Sequence, residues 1–271
     1  MCLILFAFKA NRRYPLVVAA NRDEAYARPT ASASFWRDHP GLYAGRDLDM
    51  GGTWMGLTRQ GRFAAITNFR DGYPNGRGAA PRSRGEIAGT FLTGDLDARA
   101  YLESVAARQK EYAGFSTLAG DLNALWYFSN YGKGLEFVAP GVHGLSNHLL
   151  DTPWPKVVDG CAELTALLEA SADSAADAST LAEKLFDLLA DRSVAPANQL
   201  PDTGIGIVRE KQLGPKFIAR DDRYGTRAST VIIVDKLGGV TYAERSFGGH
   251  GVFHGEVARR FSLTRQAAVT A

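Results

Sequence analysis

Cysteine is nearly absent from this 271-residue chain, whose two thiols are Cys2 and Cys161. Two cysteines do not make a disulfide framework, and so few thiols suit a reducing compartment. Long apolar runs are missing too. No segment approaches the roughly 18 consecutive apolar residues of a membrane span. The apolar stretch at 2–8 has no basic segment before it and no small-residue cleavage site after it, so no secretory signal is expected. These absences predict a cytoplasmic protein without a transmembrane segment. An excess of one charge is lacking as well: 31 Lys and Arg face 29 Asp and Glu, a net charge of +2. The arginines are scattered, often beside Asp or Glu, so nucleic acid is not an expected partner.

What is present is an ordinary globular composition, 45% apolar and 22% charged. A chain of this length buries a large core without staples. One domain over 1–271 is expected. Apolar runs at 2–8 and 15–20, separated by a polar turn, predict two antiparallel strands. Both runs are apolar on both faces, which requires a sheet covered on both sides. A second hairpin is expected over 53–69. The Gly- and Pro-rich stretch 71–82 reads as a loop. Helical patterns follow at 84–92 and 97–111, and strands at 115–118, 124–130 and 135–139. Helices are expected at 155–170 and 177–191, with a small polar junction between them. Strands at 229–235 and 240–246 come next, then a last helical piece at 253–262 and a frayed tail beyond 265. Strands and helices in blocks predict layered α+β packing.

Chemistry gathers where strands end. Cys2 follows the initiator Met1. Removal of that methionine would leave a thiol and a free α-amine on one residue, able to act as nucleophile and base. The α-amine has an ordinary pKa of about 7.7–8.0. Asn21-Arg22-Asp23-Glu24 directly follows the second apolar run. If the first two strands form a hairpin, Asp23 lies near the Cys2 amine and can hold it in place. Arg22 can favour the thiolate or bind an acidic substrate group. The alternative is a solvated charged turn. Asn68 ends the expected strand from Ala64, and Asn147 ends Gly144-Leu145-Ser146-Asn147; their amides are candidate oxyanion donors, and turn formation is the alternative use. Arg227 stands at the entrance of a late strand as a candidate carboxylate ligand. Trp54, beside the glycines of 51–52, is a candidate pocket-lining aromatic, with Phe6, Phe8 and Phe69. His148 is a candidate substrate contact. His250 and His254 have helical spacing but lack a carboxylate–histidine signature, so no metal site is expected.

These residues form an ordered set: Met1-Cys2, Asn21-Arg22-Asp23-Glu24 with Arg28-Pro29, Ala44-Gly45-Arg46-Asp47 and Gly51-Gly52-Thr53-Trp54. It continues with Thr67-Asn68-Phe69-Arg70, Gly144-Leu145-Ser146-Asn147 with Asp151 to Pro155, and Tyr224-Gly225-Thr226-Arg227. The set resembles the NRDE, or transport-and-Golgi-organisation, protein family. That family is in turn similar to N-terminal-nucleophile hydrolases of the bile acid hydrolase and penicillin V acylase group. The resemblance implies a four-layer αββα sandwich of two mainly antiparallel sheets flanked by helices. It implies a cysteine nucleophile acting on non-peptide C–N amide bonds, with Cys2, Asp23, Asn68 and Asn147 in catalytic positions. Those hydrolases place an arginine three residues before the aspartate; here that position is Ala20, and Arg22 adjoins Asp23.

The first expectation is therefore a cysteine amidohydrolase of small acyl amides that needs no cofactor. Arg22, Arg227, Trp54 and His148 would contact its substrate. The resemblance also carries an alternative. Eukaryotic members of the family look like proteins of haem trafficking and acyl-CoA or lipid homeostasis, so the same cleft would hold haem or an acyl-CoA without catalysis.

Overall fold

The structure is a computed structural model that describes residues 2–74, 76, 78, 80–172 and 177–264. In chain order the elements are β1 (Cys2–Phe8), β2 (Leu16–Ala25), β3 (Thr30–Phe35), β4 (Leu42–Asp47), β5 (Met55–Thr58) and β6 (Phe63–Asn68). Helices α1 (Gly85–Thr93) and α2 (Ala98–Ala107) follow, then β7 (Phe115–Gly120), β8 (Leu125–Ser129), β9 (Leu135–Phe137) and β10 (Gly141–Leu145). The chain goes on through α3 (Pro155–Ala172), α4 (Ala178–Leu189), α5 (Ile207–Leu213), β11 (Tyr224–Val234), β12 (Gly239–Phe247) and β13 (Phe253–Ser262).

Alternation along the strands builds the layers. Even positions of β1 and β2, from Ile4 and Phe6 to Val18 and Ala20, point into a core shared by two sheets. Odd positions, such as Leu3, Leu5, Val17 and Ala19, point into a second core under α3 and α4. Both faces are covered, so neither needs polar residues. The first sheet has the order β10-β1-β2-β11-β12-β13 and the second β3-β4-β5-β6-β7-β8-β9, every pairing antiparallel. Helices α1 and α2 lie over Ala64, Ile66, Phe115 and Phe128 on the outer face of the second sheet. The result is an α+β sandwich in four layers, helix–sheet–sheet–helix.

Local sequence explains the helix docking. The α4 stripe Leu181, Leu185, Leu188 and Leu189 is buried, and Asp177 caps its first turn by accepting from the Thr180 amide at 3.0 Å. Helix α3 approaches the first sheet across two glycines. A Cβ at Gly160 would stand 2.6 Å from Leu5 Cδ1, and one at Gly144 would stand 2.6 Å from Val157 Cγ1. This close approach fixes the floor beneath the start of β1.

Two expectations are corrected. The second strand does not stop at residue 20: β2 runs on to Ala25 because Tyr224 to Thr226 of β11 continue the ladder beside Asp23 to Ala25. Asn21, Arg22 and Asp23 are buried there, so they are not a solvated turn. Residues 253–262 form the edge strand β13, not a helix, paired along β12. Val257 and Phe261 are four apart and pack on the inter-sheet core. That spacing fits one face of a strand as well as one face of a helix, and the ladder with β12 decided the outcome. Strands β3, β4 and β10 and helix α5 lie in stretches without a strong periodic signal. The tail beyond 265 and most of the α3–α4 junction lie outside the described residues.

Candidate functional site

Cys2 opens β1 and pairs with Arg22 of β2 as the last register pair of that hairpin. Asp23 therefore sits just past the end of β1, beside the chain's amino terminus. The thiol is buried and borders a cleft of about 500 Å³ between the two sheets. Arg22, Asp23, Trp54, Asn68 and Arg227 border the same cleft. Burial pushes the Cys2 thiol above its ordinary value. The positive amino terminus and Arg22 oppose that rise, while Asp23 adds to it.

Asp23 faces the helical side of the first sheet and is held by Thr226, whose Oγ1 donates to Asp23 Oδ1 at 2.7 Å. Tyr224 Oη donates to the Asp23 carbonyl at 3.2 Å. Burial raises the Asp23 carboxyl; the amino terminus, Lys156, the Thr226 bond and Arg22 pull it back. Lys156, in the first turn of α3, is buried and donates to the Leu213 carbonyl at 3.0 Å. Its ammonium is lowered to about 8, by burial first, with Asp23 opposing. Next to it Arg70 and Glu210 form a buried ion pair at 3.2 Å. Thr203 donates to the other Glu210 oxygen through its amide at 2.9 Å and its hydroxyl at 2.6 Å.

The two asparagines take different places. Asn68 closes β6 and borders the cleft. Asn147 is fully buried beyond the end of β10, and its Nδ2 donates to the Asn68 carbonyl at 3.0 Å. Its own carbonyl accepts from the Arg70 amide at 2.7 Å, and Thr67 Oγ1 donates to the Ser146 carbonyl at 2.8 Å. Asn147 thus supports the Asn68 backbone and does not line the cleft. One of its amide hydrogens is already committed, which departs from an oxyanion role for it.

Arg227 is the extra residue of a bulge between Thr226 and Ala228. One guanidinium nitrogen donates to the carbonyls of Ala25, Tyr26 and Arg28, clipping down the chain that leaves β2. His148 does not line the cleft. Its Nδ1 meets Thr152 Oγ1 at 2.9 Å, and its ring packs on Phe69 and Trp154. Of the four aromatics expected to line a pocket, Trp54 does so; Phe6 and Phe8 are core, and Phe69 stacks on Tyr131 at 4.0 Å. His250 lies in a turn and His254 on β13, so they share no helix face. Among the described residues no cluster of His, Cys, Asp and Glu is placed to hold a metal ion, and no helix is long and apolar enough to cross a membrane.

Three neighbours escaped sequence reading. Lys156 and Glu210 sit in helices, where charge normally reads as surface, and their burial depends on tertiary packing. Arg84, at the head of α1, borders the cleft from the opposite sheet. Its place beside the Gly- and Pro-rich loop was the available signal.

Two antiparallel sheets between helices, with a cysteine at the head of an inner strand, define an N-terminal-nucleophile hydrolase-like fold. A crystal structure of a mutant conjugated bile acid hydrolase from Clostridium perfringens matches it at a TM-score of 0.50. The match covers 97% of this chain and 92% of that one, at 8% sequence identity, so the likeness is one of fold. The chain belongs to the family described as Transport and Golgi organisation 2, whose model matches residues 1–249. The Bos taurus Transport and Golgi organization protein 2 homolog is 39% identical over 92% of this chain and 94% of its own length. The Homo sapiens homolog is 35% identical over 98% and 100%.

Proposed function

We propose that the protein is a cysteine amidohydrolase acting on a non-peptide C–N bond of a small acyl amide, after loss of Met1. The observation that carries this reading is the meeting of Cys2 and Asn68 at one cleft, with the Asp23 carboxylate beside the amino terminus on the helical side. Cys2 opens β1, Asp23 lies within β2 of the same sheet, and Asn68 closes β6 of the other. Burial alone makes the Cys2 thiol a poor thiolate, so the reaction needs a base at the sulfur. The α-amine of Cys2 is that base, and Asp23 beside the terminus positions it. The thiolate attacks the amide carbonyl, and the Asn68 amide stabilises the oxyanion. The protonated α-amine then gives its proton to the leaving nitrogen as the C–N bond breaks. Water adds to the thioester and releases the acid, and the sulfur recovers its proton. Asn147 is a positioning residue that holds the strand end carrying Asn68.

The carrier alternative, with haem or an acyl-CoA in the same cleft, has less support. Among the described residues, six arginines and four carboxylates border the cleft. That density of charge suits a haem macrocycle poorly; it does not weigh against the phosphates of an acyl-CoA.

The test joins mass spectrometry to activity. Intact mass should show loss of one methionine. A panel of N-acyl amides should then be cleaved by the wild type and not by Cys2→Ser with Met1 retained. Full activity in that variant would overturn the mechanism.

A further inference from the structure

Six arginines border the cleft among the described residues: Arg22, Arg28, Arg46, Arg82, Arg84 and Arg227. Five of them are already occupied. Arg28 meets Asp47 at 2.7 Å, and Arg46 meets Asp38 at 2.7 Å. Arg82 is shared between Glu86 at 2.6 Å and Glu111 at 3.0 Å. Arg22 faces Glu24 at 3.7 Å, and Arg227 holds three carbonyls of the 25–28 segment. Arg84 differs. Among the described residues its Nη1 donates to the Gly114 carbonyl at 3.2 Å, and no carboxylate lies within ion-pair distance of it.

A guanidinium carries five N–H donors in a planar fork that matches an oxyanion. Half-buried, with the Glu24 carboxylate acting on it only at a distance and none in contact, it keeps donors that an anion arriving in the cleft satisfies. The position matters as much as the vacancy of its donors. Arg84 stands at the head of α1, which packs on the second sheet; burial lowers its guanidinium first, and Glu24 and the Cys2 sulfur are the groups whose negative charge opposes that.

We infer that Arg84 is the specificity-determining residue of the cleft, and that it receives a compact anionic group, carboxylate or phosphate, carried by the amide substrate. The substrate class narrows from acyl amides in general to acyl amides bearing an anion near the scissile bond. The inference rests on the hydrolase reading for its kinetic test; its binding test stands apart from that reading.

The kinetic test compares N-octanoylglycine, N-octanoyl-O-phosphoethanolamine and the neutral N-octanoylglycinamide. Arg84→Gln keeps a donor toward Gly114 and removes the charge. The preference of the wild type for an anionic over the neutral amide, as a ratio of kcat/KM, should fall on the order of tenfold or more in Arg84→Gln. Arg84→Lys should restore part of it. Which anionic amide suffers more tells carboxylate from phosphate. A ratio that does not move overturns the inference. The binding test uses the Cys2→Ala protein and calorimetry with the same three ligands. An anionic ligand should bind there and lose about tenfold in affinity when Arg84→Gln is added. Equal affinity for charged and neutral ligands, or no binding at all, overturns the inference. If wild type cleaves none of the amides but binds the anionic ones through Arg84, the hydrolase reading fails and this one stands. Unchanged thermal unfolding of Arg84→Gln confirms that the comparison is made on folded protein.

Discussion

Asn147 Nδ2 and the Asn68 carbonyl, 3.0 Å apart, tie the end of β10 in one sheet to the end of β6 in the other. The bond lies beneath the cleft that Cys2 borders. Asn147→Ala should leave that carbonyl without its buried donor, at a cost of about 1–3 kcal/mol. Urea unfolding measures the loss. Under the proposed chemistry, kcat should fall more than KM rises, because the oxyanion donor moves while the binding walls remain.

Thr226→Val should act on the carboxylate beside the amine. It removes the 2.7 Å donor to Asp23 and conserves shape. The Asp23 carboxyl should rise further, since that bond now opposes the effect of burial. The acidic limb of the pH–rate profile should shift toward higher pH. A profile that superposes on the wild type would show that Asp23 does not govern the reaction.

Glu210→Ala should be among the most damaging single changes. Arg70 and Glu210 are both buried, and removing the acid takes the ion-pair partner from a buried guanidinium. A loss of about 3–5 kcal/mol is expected from chemical denaturation. Leu5→Ala, which empties the space under Gly160 of α3, should cost about 2–5 kcal/mol by a different route, a cavity.

Lys156 gives the stability curve a definite sign. Its folded ammonium titrates at about 8, below the ordinary 10.5. Between those values the unfolded chain holds the proton and the folded chain does not. Stability from this group therefore rises with pH across that window and is absent below about pH 8. The gain is on the order of 3 kcal/mol. Lys156→Met should flatten the curve between about pH 8 and about pH 10.5, as denaturant midpoints at the two ends would show. A steeper curve in the variant would contradict the assignment.

The layers could be read from the chain because burial leaves a strong mark. Leu3 to Phe8 and Leu16 to Ala20 carry no polar residue on either face, and a two-sided sheet is the one place for them. The hairpin then put Asp23 near Cys2. Charged residues ordinarily leave a sheet, so the sequence places Arg22 and Asp23 beyond the strand. Their burial depends on β11, some two hundred residues later. Val257 and Phe261 of the final strand satisfy both periods, so spacing alone does not separate strand from helix there. The Asn147 amide is legible as a donor, but its acceptor, a backbone carbonyl, has no signature in sequence. Arg84 and Lys156 carry the most common surface chemistry, and only packing makes them inner residues.

The course of β2 through its polar residues has one more consequence. Asn21 and Asp23 turn toward the helices, where Asn21 Nδ2 reaches the carbonyls of Leu189 and Lys216. Arg22 and Glu24 turn toward the cleft. One strand thus serves two compartments by parity alone. Gaining or losing a single residue anywhere between Leu16 and Asn21 would exchange the sets, putting the cleft's charges under α4 and the helix anchors in the cleft. Substitutions in this stretch are graded injuries; a change in its length is a reversal.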